Sequence, residues 1–305
     1  MDTDYDRIAE QYQRARLQPW RTHIERYTLL RLAGDVAGKA AIDLACGEGY
    51  YTRALRQQGA ARIVGVDLSR AMIGLAEAEE AQRPLGVEYR VGDVRTLVVP
   101  GEFDLAFAAY LLNYAHSAEE LAQMCRAVAR ALRPGGRFVT VNSNPAEPTV
   151  AFPAARAYGF SRRVEGELVE GAPVVLEFFL PEGYFEVTNY YLSAGTMEKA
   201  FRAAGLRQLR WHAAEVSPEG LREFGQEYWA DFLAHPPVAF IVCVKQVSGR
   251  GCVVAGLEGR SPVDGAASPG LSPTQSARRS LTSAFLRRSF RRGKVDIKLR
   301  NPFFG

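Results

Sequence analysis

Apolar residues change their spacing regularly along the first 142 residues, and this spacing predicts strands and helices in alternation. Short apolar runs bounded by turn residues are typical of buried strands, and apolar residues three or four positions apart are typical of amphipathic helices. Such alternation predicts an α/β fold with a parallel sheet covered on both faces. The predicted strands cover residues 39–46, 62–66, 87–91, 103–110 and 137–141, and helical patterns cover 4–33, 51–58, 70–82 and 117–132.

The pattern is different after Asn142. Residues 144–195 are rich in aromatic and β-forming residues, and Gly/Pro turns at 171–173 and 181–183 divide them, so we interpret this segment as an inserted β-rich cap. The pattern along the chain therefore predicts a doubly wound, mostly parallel seven-stranded sheet with an N-terminal helical lid and a cap after the fifth strand. The remaining predicted elements are helices at 196–204 and 218–233 and strands at 206–212 and 238–245.

Composition narrows the class of protein. Apolar residues make up 47% and charged residues 24% of the 305 residues, which is ordinary for a soluble globular enzyme. The four cysteines are scattered without metal-ligand spacing, which predicts reduced thiols, a cytoplasmic protein and no metal site. The acidic start is unlike a secretory signal, and no apolar stretch approaches the roughly 18 residues that a membrane span needs.

Charge divides the chain into two predicted parts. From Gly249 onward eleven Lys or Arg residues stand against three Asp or Glu residues, a net charge of +8. The first 248 residues therefore carry about −4 of the overall +4. Since the tail is also rich in Gly, Ser and Pro, we expect a folded domain over 1–248 and a basic, disordered tail over 249–305.

The stretch DLACGEGYYT, residues 43–52, predicts a tight turn between the first strand and the next helix. Gly47 and Gly49 allow the backbone to turn sharply and to approach a ligand, and the helix N-terminus that follows favours an anionic group. A dinucleotide site expects a third glycine where Thr52 stands. The carboxylate of Asp43 suits a cationic ammonium better than a pyrophosphate, which favours a ligand with an amino-acid end.

Two further acids follow the next two predicted strands. Asp67 stands where a carboxylate accepts hydrogen bonds from ribose hydroxyls, and Asp93 is placed to accept one from a purine amine. Each acid alone is more often a helix cap or a solvated turn. Together with the glycine turn, the three acids predict a site for one nucleoside that carries an amino-acid group.

Residues 39–142 resemble the class I S-adenosylmethionine-dependent methyltransferases. The resemblance rests on the motifs DLACGEG (43–49), VGVD (64–67), GDV (92–94) and LRPGGRF (132–138), and YDRIAEQY (5–12) is similar to the lid helix of small-molecule members. It implies a Rossmann-like fold, S-adenosyl-L-methionine as cofactor and methyl transfer. The cofactor contacts that it implies are Tyr12, Asp43, Ala45, Gly47, Gly49, Asp67, Leu68, Met72, Asp93, Val94 and Ala109.

A narrower resemblance covers nearly all of residues 4–246. The segments AAYLLNYA (108–115), NSNP (142–145), YGF (158–160), NYYLS (189–193) and HPP (235–237) are similar to the toxoflavin-synthase-like enzymes, which methylate ring nitrogens of small heterocycles in secondary metabolism. It implies a small-molecule acceptor beside Tyr110, Asn113 and Tyr114. His116 and His212 are candidate bases, but a ring nitrogen with a free lone pair needs none, and we assign no catalytic base.

Two alternatives from other classes stay open. A nucleic-acid methyltransferase typically carries an Asp/Asn-Pro-Pro-aromatic turn after the fourth strand, where this chain has AYLLNY, and the acidic body disfavours a phosphate-backbone partner. A non-catalytic regulator that binds the same cofactor would carry the same motifs. The sequence leaves open which acceptor is used, which atom is methylated and how many copies assemble.

Overall fold

The computed structural model describes residues 3–99, 101–146, 153–164 and 166–247. The basic tail predicted from residue 249 lies outside the described residues, so its disorder stays a prediction. Within the described part no helix is long and apolar enough to cross a membrane.

The main sheet has seven strands in the order β3-β2-β1-β4-β5-β10-β9, and the prediction of a mostly parallel sheet is confirmed. Only β10 runs antiparallel to its neighbours β5 and β9. Because β1 pairs in parallel with β2 on one side and β4 on the other, the carboxyl ends of these strands meet at one edge of the sheet. The strands are β1 Ala40–Leu44, β2 Arg62–Asp67, β3 Glu88–Val91, β4 Phe103–Ala109, β5 Leu132–Ser143, β9 Leu206–His212 and β10 Val238–Lys245.

Helices cover both faces of this sheet, and most begin where the sequence signals predict. Ser69 accepts a hydrogen bond from the Met72 amide, and Ser117 accepts one from the Glu120 amide. The apolar faces of these helices complete two buried clusters, one on each side of the sheet. The helices are α1 Tyr5–Ala15, α2 Tyr27–Ala33, α3 Tyr50–Gln57, α4 Arg70–Gln82, α5 Ala118–Ala131, α6 Ala194–Ala203 and α7 Pro218–Ala234.

The predicted cap is confirmed as a separate antiparallel sheet of three strands. Phe178 and Phe185 stand opposite each other in the register, and their rings stack 5.2 Å apart on the buried face. These rings contact Tyr12 of α1, so the cap packs against the N-terminal helix. The cap strands are β6 Phe160–Val164, β7 Pro173–Leu180 and β8 Gly183–Tyr190.

Two elements differ from the sequence prediction. The strand predicted at 137–141 extends over Leu132–Ser143, with an irregular register against β4 between Phe103 and Leu105. The second N-terminal helix begins as a π-helical turn, Arg21–Arg26, before it continues as α2. Hydrophobic periodicity does not distinguish this wider turn from an α-helix, and π-helical turns are frequent at functional sites.

Candidate functional site

The turn after β1 has a backbone conformation that explains its glycines. Ala45, Gly47 and Gly49 have φ angles of 59°, 55° and 82°, in the left-handed region that side chains disfavour. A Cβ at Gly49 would lie 2.3 Å from the Tyr89 hydroxyl oxygen, so this position has no space for a side chain. At Gly47 the nearest atom, Nη2 of Arg16, would be 3.9 Å away. The space beside the Cα of Gly47 is therefore open.

Asp43 lies under this turn, almost fully buried. Its carboxylate accepts a hydrogen bond of 2.7 Å from the Thr52 hydroxyl at the start of α3. Burial raises the pKa of Asp43 to about 7, although the Thr52 hydrogen bond and the charge of Arg16 act in the opposite direction. Asp43 is thus poised to ionise when a cation arrives, and its pairing with an ammonium group stays a prediction.

Asp67 ends β2 and connects the two neighbouring strand ends. One carboxylate oxygen accepts a 2.8 Å hydrogen bond from the Gly47 amide, and the other accepts 2.9 Å from the Ser69 amide. Burial raises the pKa of this carboxyl group, while the two amides oppose the rise. Asp67 therefore lies beside the glycine turn, within reach of a ligand held there.

Asp93 lies at the same edge of the sheet, after β3, but its carboxylate is already engaged. It pairs with the Arg95 guanidinium through contacts of 2.8 to 3.1 Å, and this hydrogen bonding lowers its pKa. The four apolar cofactor residues are divided between two environments: Met72, Val94 and Ala109 are buried, whereas Leu68 is 68% exposed. The structure thus gathers Asp43, Asp67 and Met72 around the turn and leaves Asp93 at its margin.

The N-terminal helix α1 lies across this edge. The Asp6 carboxylate accepts hydrogen bonds from the Ser69 hydroxyl and from the Ala71 amide, which tie α1 to the start of α4. The hydroxyl groups of Tyr5 and Tyr114 contact each other. Burial raises the pKa of Tyr5 most, and the charges of Tyr114 and Asp67 add to the rise. The lid therefore meets the predicted acceptor region beside Asp67.

An aromatic pocket lies between the lid, the cap and the end of β4. Two predicted acceptor residues, Tyr110 and Tyr114, line it, and Tyr12 does so too. Tyr110 has a φ of 69°, a strained conformation of the kind found at ligand sites. The other aromatic walls are Tyr5, Trp20, Phe160 and Phe178.

The third predicted acceptor residue, Asn113, lines a neighbouring pocket. Its side chain exchanges hydrogen bonds of 3.2 and 3.3 Å with Ser143, which lines both pockets. Neither candidate histidine lines either pocket. The His116 ring packs 3.9 Å from the ring of Tyr190, and His212 lies on the outermost strand β9.

Sequence reasoning missed a group of buried charges beneath the lid. Glu25 is fully buried and accepts hydrogen bonds from the hydroxyls of Tyr51, at 2.6 Å, and Tyr110. Arg16 lies 3.4 Å from Glu25 and 3.2 Å from Glu48, the residue between the two glycines of the turn. In the sequence Arg16 and Glu25 occupy polar positions of a helical pattern, and Glu48 occupies a turn. Charged residues at such positions are usually solvated, so no local signal marks these three as buried.

In the described part of the chain no three His, Cys, Asp or Glu side chains cluster so as to hold a metal ion. The carboxylates described above contact hydroxyls, amides and guanidinium groups instead. Asp43 and Asp67 place carboxylate oxygens, which are hydrogen-bond acceptors, beside the turn.

Comparison with known proteins agrees with this geometry. Residues 41–136 match a family described as a methyltransferase domain. The chain is 30% identical over 160 residues to a ubiquinone biosynthesis O-methyltransferase of Stutzerimonas stutzeri, a match that covers 51% of this chain and 60% of that protein. The chain therefore spans less than two thirds of that relative's length.

Solved structures share the fold at low sequence identity. The PH0226 protein of Pyrococcus horikoshii has a TM-score of 0.58 at 22% identity, over 81% of this chain and all of that one. An S-adenosylmethionine-dependent methyltransferase of Mesorhizobium loti has a TM-score of 0.54 at 22% identity, over 76% of this chain and all of that one.

Proposed function

We propose that this chain, whose residues 41–136 match a methyltransferase-domain family, is a class I methyltransferase that transfers a methyl group from S-adenosyl-L-methionine to a small molecule bound under the cap. One observation carries the proposal. Tyr110, which lines the aromatic pocket, donates to Glu25, and Arg16 lies between Glu25 and Glu48 of the glycine turn, at 3.4 and 3.2 Å. A cofactor site at the turn and an acceptor site in the pocket would therefore be neighbours.

The residues present fit this cofactor. Backbone groups of Ala45, Gly47 and Gly49 would hold the amino-acid end above Asp43, and Asp67 would accept hydrogen bonds from the ribose hydroxyls. The hydrogen bonds that Asp67 accepts from the Gly47 and Ser69 amides hold it next to the glycine turn, and this position supports the assignment. The adenine would lie between Asp93 and Val94, with Leu68 and Met72 against it. Tyr12 would lie near the methionine carboxylate.

The cofactor supplies an already activated methyl group. The chain's own contribution is to hold the acceptor atom in line with it and to keep water out. Such orientation is worth roughly 7–11 kcal/mol in well-aligned reactions. The rings of Tyr5, Tyr12, Tyr110 and Tyr114 border the pocket and would add about 0.5–2 kcal/mol of cation–π attraction toward a sulfonium.

The pocket supports an aromatic or heterocyclic acceptor, with a ring nitrogen or a hydroxyl as the methylated atom, of the kind found in secondary metabolism. Flat apolar walls favour planar ligands. No histidine lines the pocket, which suits an acceptor atom with a free lone pair. The name of the Stutzerimonas relative also points to a small acceptor. We place the reaction in the cytoplasm because of the scattered cysteines, and we expect no nucleic acid on the folded body.

Calorimetry and a turnover assay test the proposal. We expect S-adenosylmethionine and adenosylhomocysteine to bind, and Asp67→Ala to weaken both at least tenfold, since one lost charge-assisted hydrogen bond is worth about 1.5–3 kcal/mol. Unchanged binding by this variant would refute the ribose assignment.

Release of adenosylhomocysteine with a panel of hydroxylated aromatics and nitrogen heterocycles should exceed release with DNA or tRNA. Preference for a nucleic acid would favour the first alternative. Tight cofactor binding without turnover on any substrate would favour a non-catalytic regulator.

A further inference from the structure

Arg21 is a buried cation with two unpaired hydrogen-bond donors, Nε and Nη1. It lies on the π-helical turn, only 2% exposed, and lines the aromatic pocket. Its Nε and Nη1 atoms are buried without a hydrogen-bond partner among the described residues. Unpaired donors on a buried charge are costly, and native proteins rarely retain them without a function.

Glu25 does not satisfy this guanidinium. Its Oε1 lies 4.0 Å from Nη1 of Arg21, beyond hydrogen-bond reach. The oxygens of Glu25 already accept from Tyr51 and Tyr110, and Arg16 approaches them at 3.4 Å. Glu25 therefore balances part of the buried charge but leaves the donors of Arg21 free for a ligand.

Aromatic rings hold the guanidinium in place instead. Its central carbon lies 4.8 Å from the ring centre of Phe178, 5.0 Å from that of Trp20 and 5.2 Å from that of Tyr12. Such contacts position a cation and leave its N–H groups unpaired. Because Phe178 belongs to the cap, the guanidinium lies on the cap side of the pocket.

A second unpartnered group comes from the cap itself. Asn189 on β8 is 4% exposed, and its Oδ1 has no hydrogen-bond partner among the described residues. It lines the same pocket as Arg21. The pocket arginine Arg162, by contrast, donates to the carbonyl of Pro237 at 2.6 Å. Among apolar walls, the pocket thus offers free donors from one side chain and a free acceptor from another.

We propose that the acceptor is a planar aromatic or heteroaromatic anion, whose carboxylate or ring enolate oxygen binds the guanidinium of Arg21. A neighbouring N–H or O–H of the same ring system donates to Asn189. This inference rests on the proposed function and adds the substrate class to it. The methionine carboxylate of the cofactor would lie near Tyr12 and Arg16, because Arg16 contacts the Tyr12 ring and lies beside Gly47.

Calorimetry on protein saturated with adenosylhomocysteine tests this pairing with two probes of the same shape, 2-naphthoate and 2-naphthamide. We expect the wild-type chain to bind the carboxylate at least tenfold more tightly than the neutral amide. Arg21→Gln should abolish this preference. Arg7→Gln removes the same charge from an exposed position of α1 and should keep the preference.

Arg21→Lys is a control for a folding defect, because lysine keeps the buried positive charge and lacks only the planar set of N–H donors. It should retain part of the preference, and all variants should melt near the wild-type temperature and bind adenosylhomocysteine equally. Equal binding of the two probes by the wild-type chain, or an unchanged preference in a folded Arg21→Gln variant, overturns the inference. If the wild-type chain binds adenosylhomocysteine, either of these results leaves the proposed function standing. If the wild-type chain does not bind adenosylhomocysteine, the inference and the proposed function are both overturned.

Discussion

The backbone of single residues around the turn decides how well the cofactor crevice is formed. Ala45 has a φ of 59°, where a residue with a Cβ loses about 1–2 kcal/mol relative to glycine. We expect Ala45→Gly to raise the free energy of unfolding by about 1 kcal/mol, after the larger unfolded-state entropy of glycine offsets part of the gain. Urea unfolding measures this change.

The neighbouring glycines provide matched substitutions in the opposite direction. A Cβ at Gly47 would meet no atom nearer than 3.9 Å, so Gly47→Ala should cost only the left-handed backbone, about 1 kcal/mol. At Gly49 the Cβ would also collide with Tyr89, so Gly49→Ala should be less stable still. An Ala45→Gly variant less stable than wild type would contradict the backbone conformation assigned here.

Asp43 should couple cofactor binding to pH. Its pKa in the folded protein is about 7, raised mainly by burial, so the side chain is substantially protonated near neutrality. A cofactor ammonium favours the carboxylate form, and binding should therefore release a proton at neutral pH. We expect the affinity for adenosylhomocysteine to fall as the pH is lowered from about 8 to about 6. Calorimetry in buffers of different ionisation enthalpy measures both effects.

Two variants separate this coupling from other titrations. Asp43→Asn should remove the dependence. Thr52→Val removes the hydrogen bond that lowers the pKa of Asp43, so the fall should begin at higher pH. The raised pKa of Asp43 also affects stability. Between about pH 4 and about pH 7, Asp43 is protonated in the folded state but ionised in the unfolded state, so the free energy of unfolding falls as the pH rises through this range. A wild-type affinity independent of pH would contradict the ammonium assignment.

At the scale of elements, α1 lies across the sheet edge that carries the predicted cofactor turn. Asp6 ties it to α4 through Ser69 and Ala71, directly beside Asp67. We expect Asp6→Ala to speed adenosylhomocysteine release several-fold and to leave the melting temperature nearly unchanged. Stopped-flow displacement measures the release rate.

Glu10 on the same helix is exposed and provides the matched control. Glu10→Ala removes the same charge from α1, and its release rate should equal that of the wild type. An equal effect of both variants would show that the helix charge, and not the contact with α4, controls release.

At the scale of the whole molecule, the described residues form a body with both pockets, while the positive charge is concentrated beyond residue 248. We expect deletion of residues 251–305 to leave adenosylhomocysteine affinity and melting temperature nearly unchanged, because no site residue identified here lies in that part of the chain. Differential scanning calorimetry checks this expectation. A large drop in melting temperature would show that the tail packs on the body.

The sequence alone determined the order of the elements and the position of the cofactor turn. Hydrophobic periodicity is a local property, so the sequence predicts where each strand ends. Because neighbouring parallel strands end at the same edge of a sheet, the sequence also predicts that Asp43 and Asp67 lie close together. The tight turn was predictable for the same reason, because a glycine indicates the backbone conformation at its own position.

Only the tertiary structure decided which side chains line the aromatic pocket and which charges are buried beside it. Glu25 is buried because Tyr110, 85 residues further along the chain, donates to it, and Arg21 is buried because Phe178 of the cap covers it. The π-helical turn that carries Arg21 and Glu25 cannot be distinguished from an α-helix by its hydrophobic pattern. Burial of a charge depends on partners that are distant in the chain, and a local pattern carries no information about them.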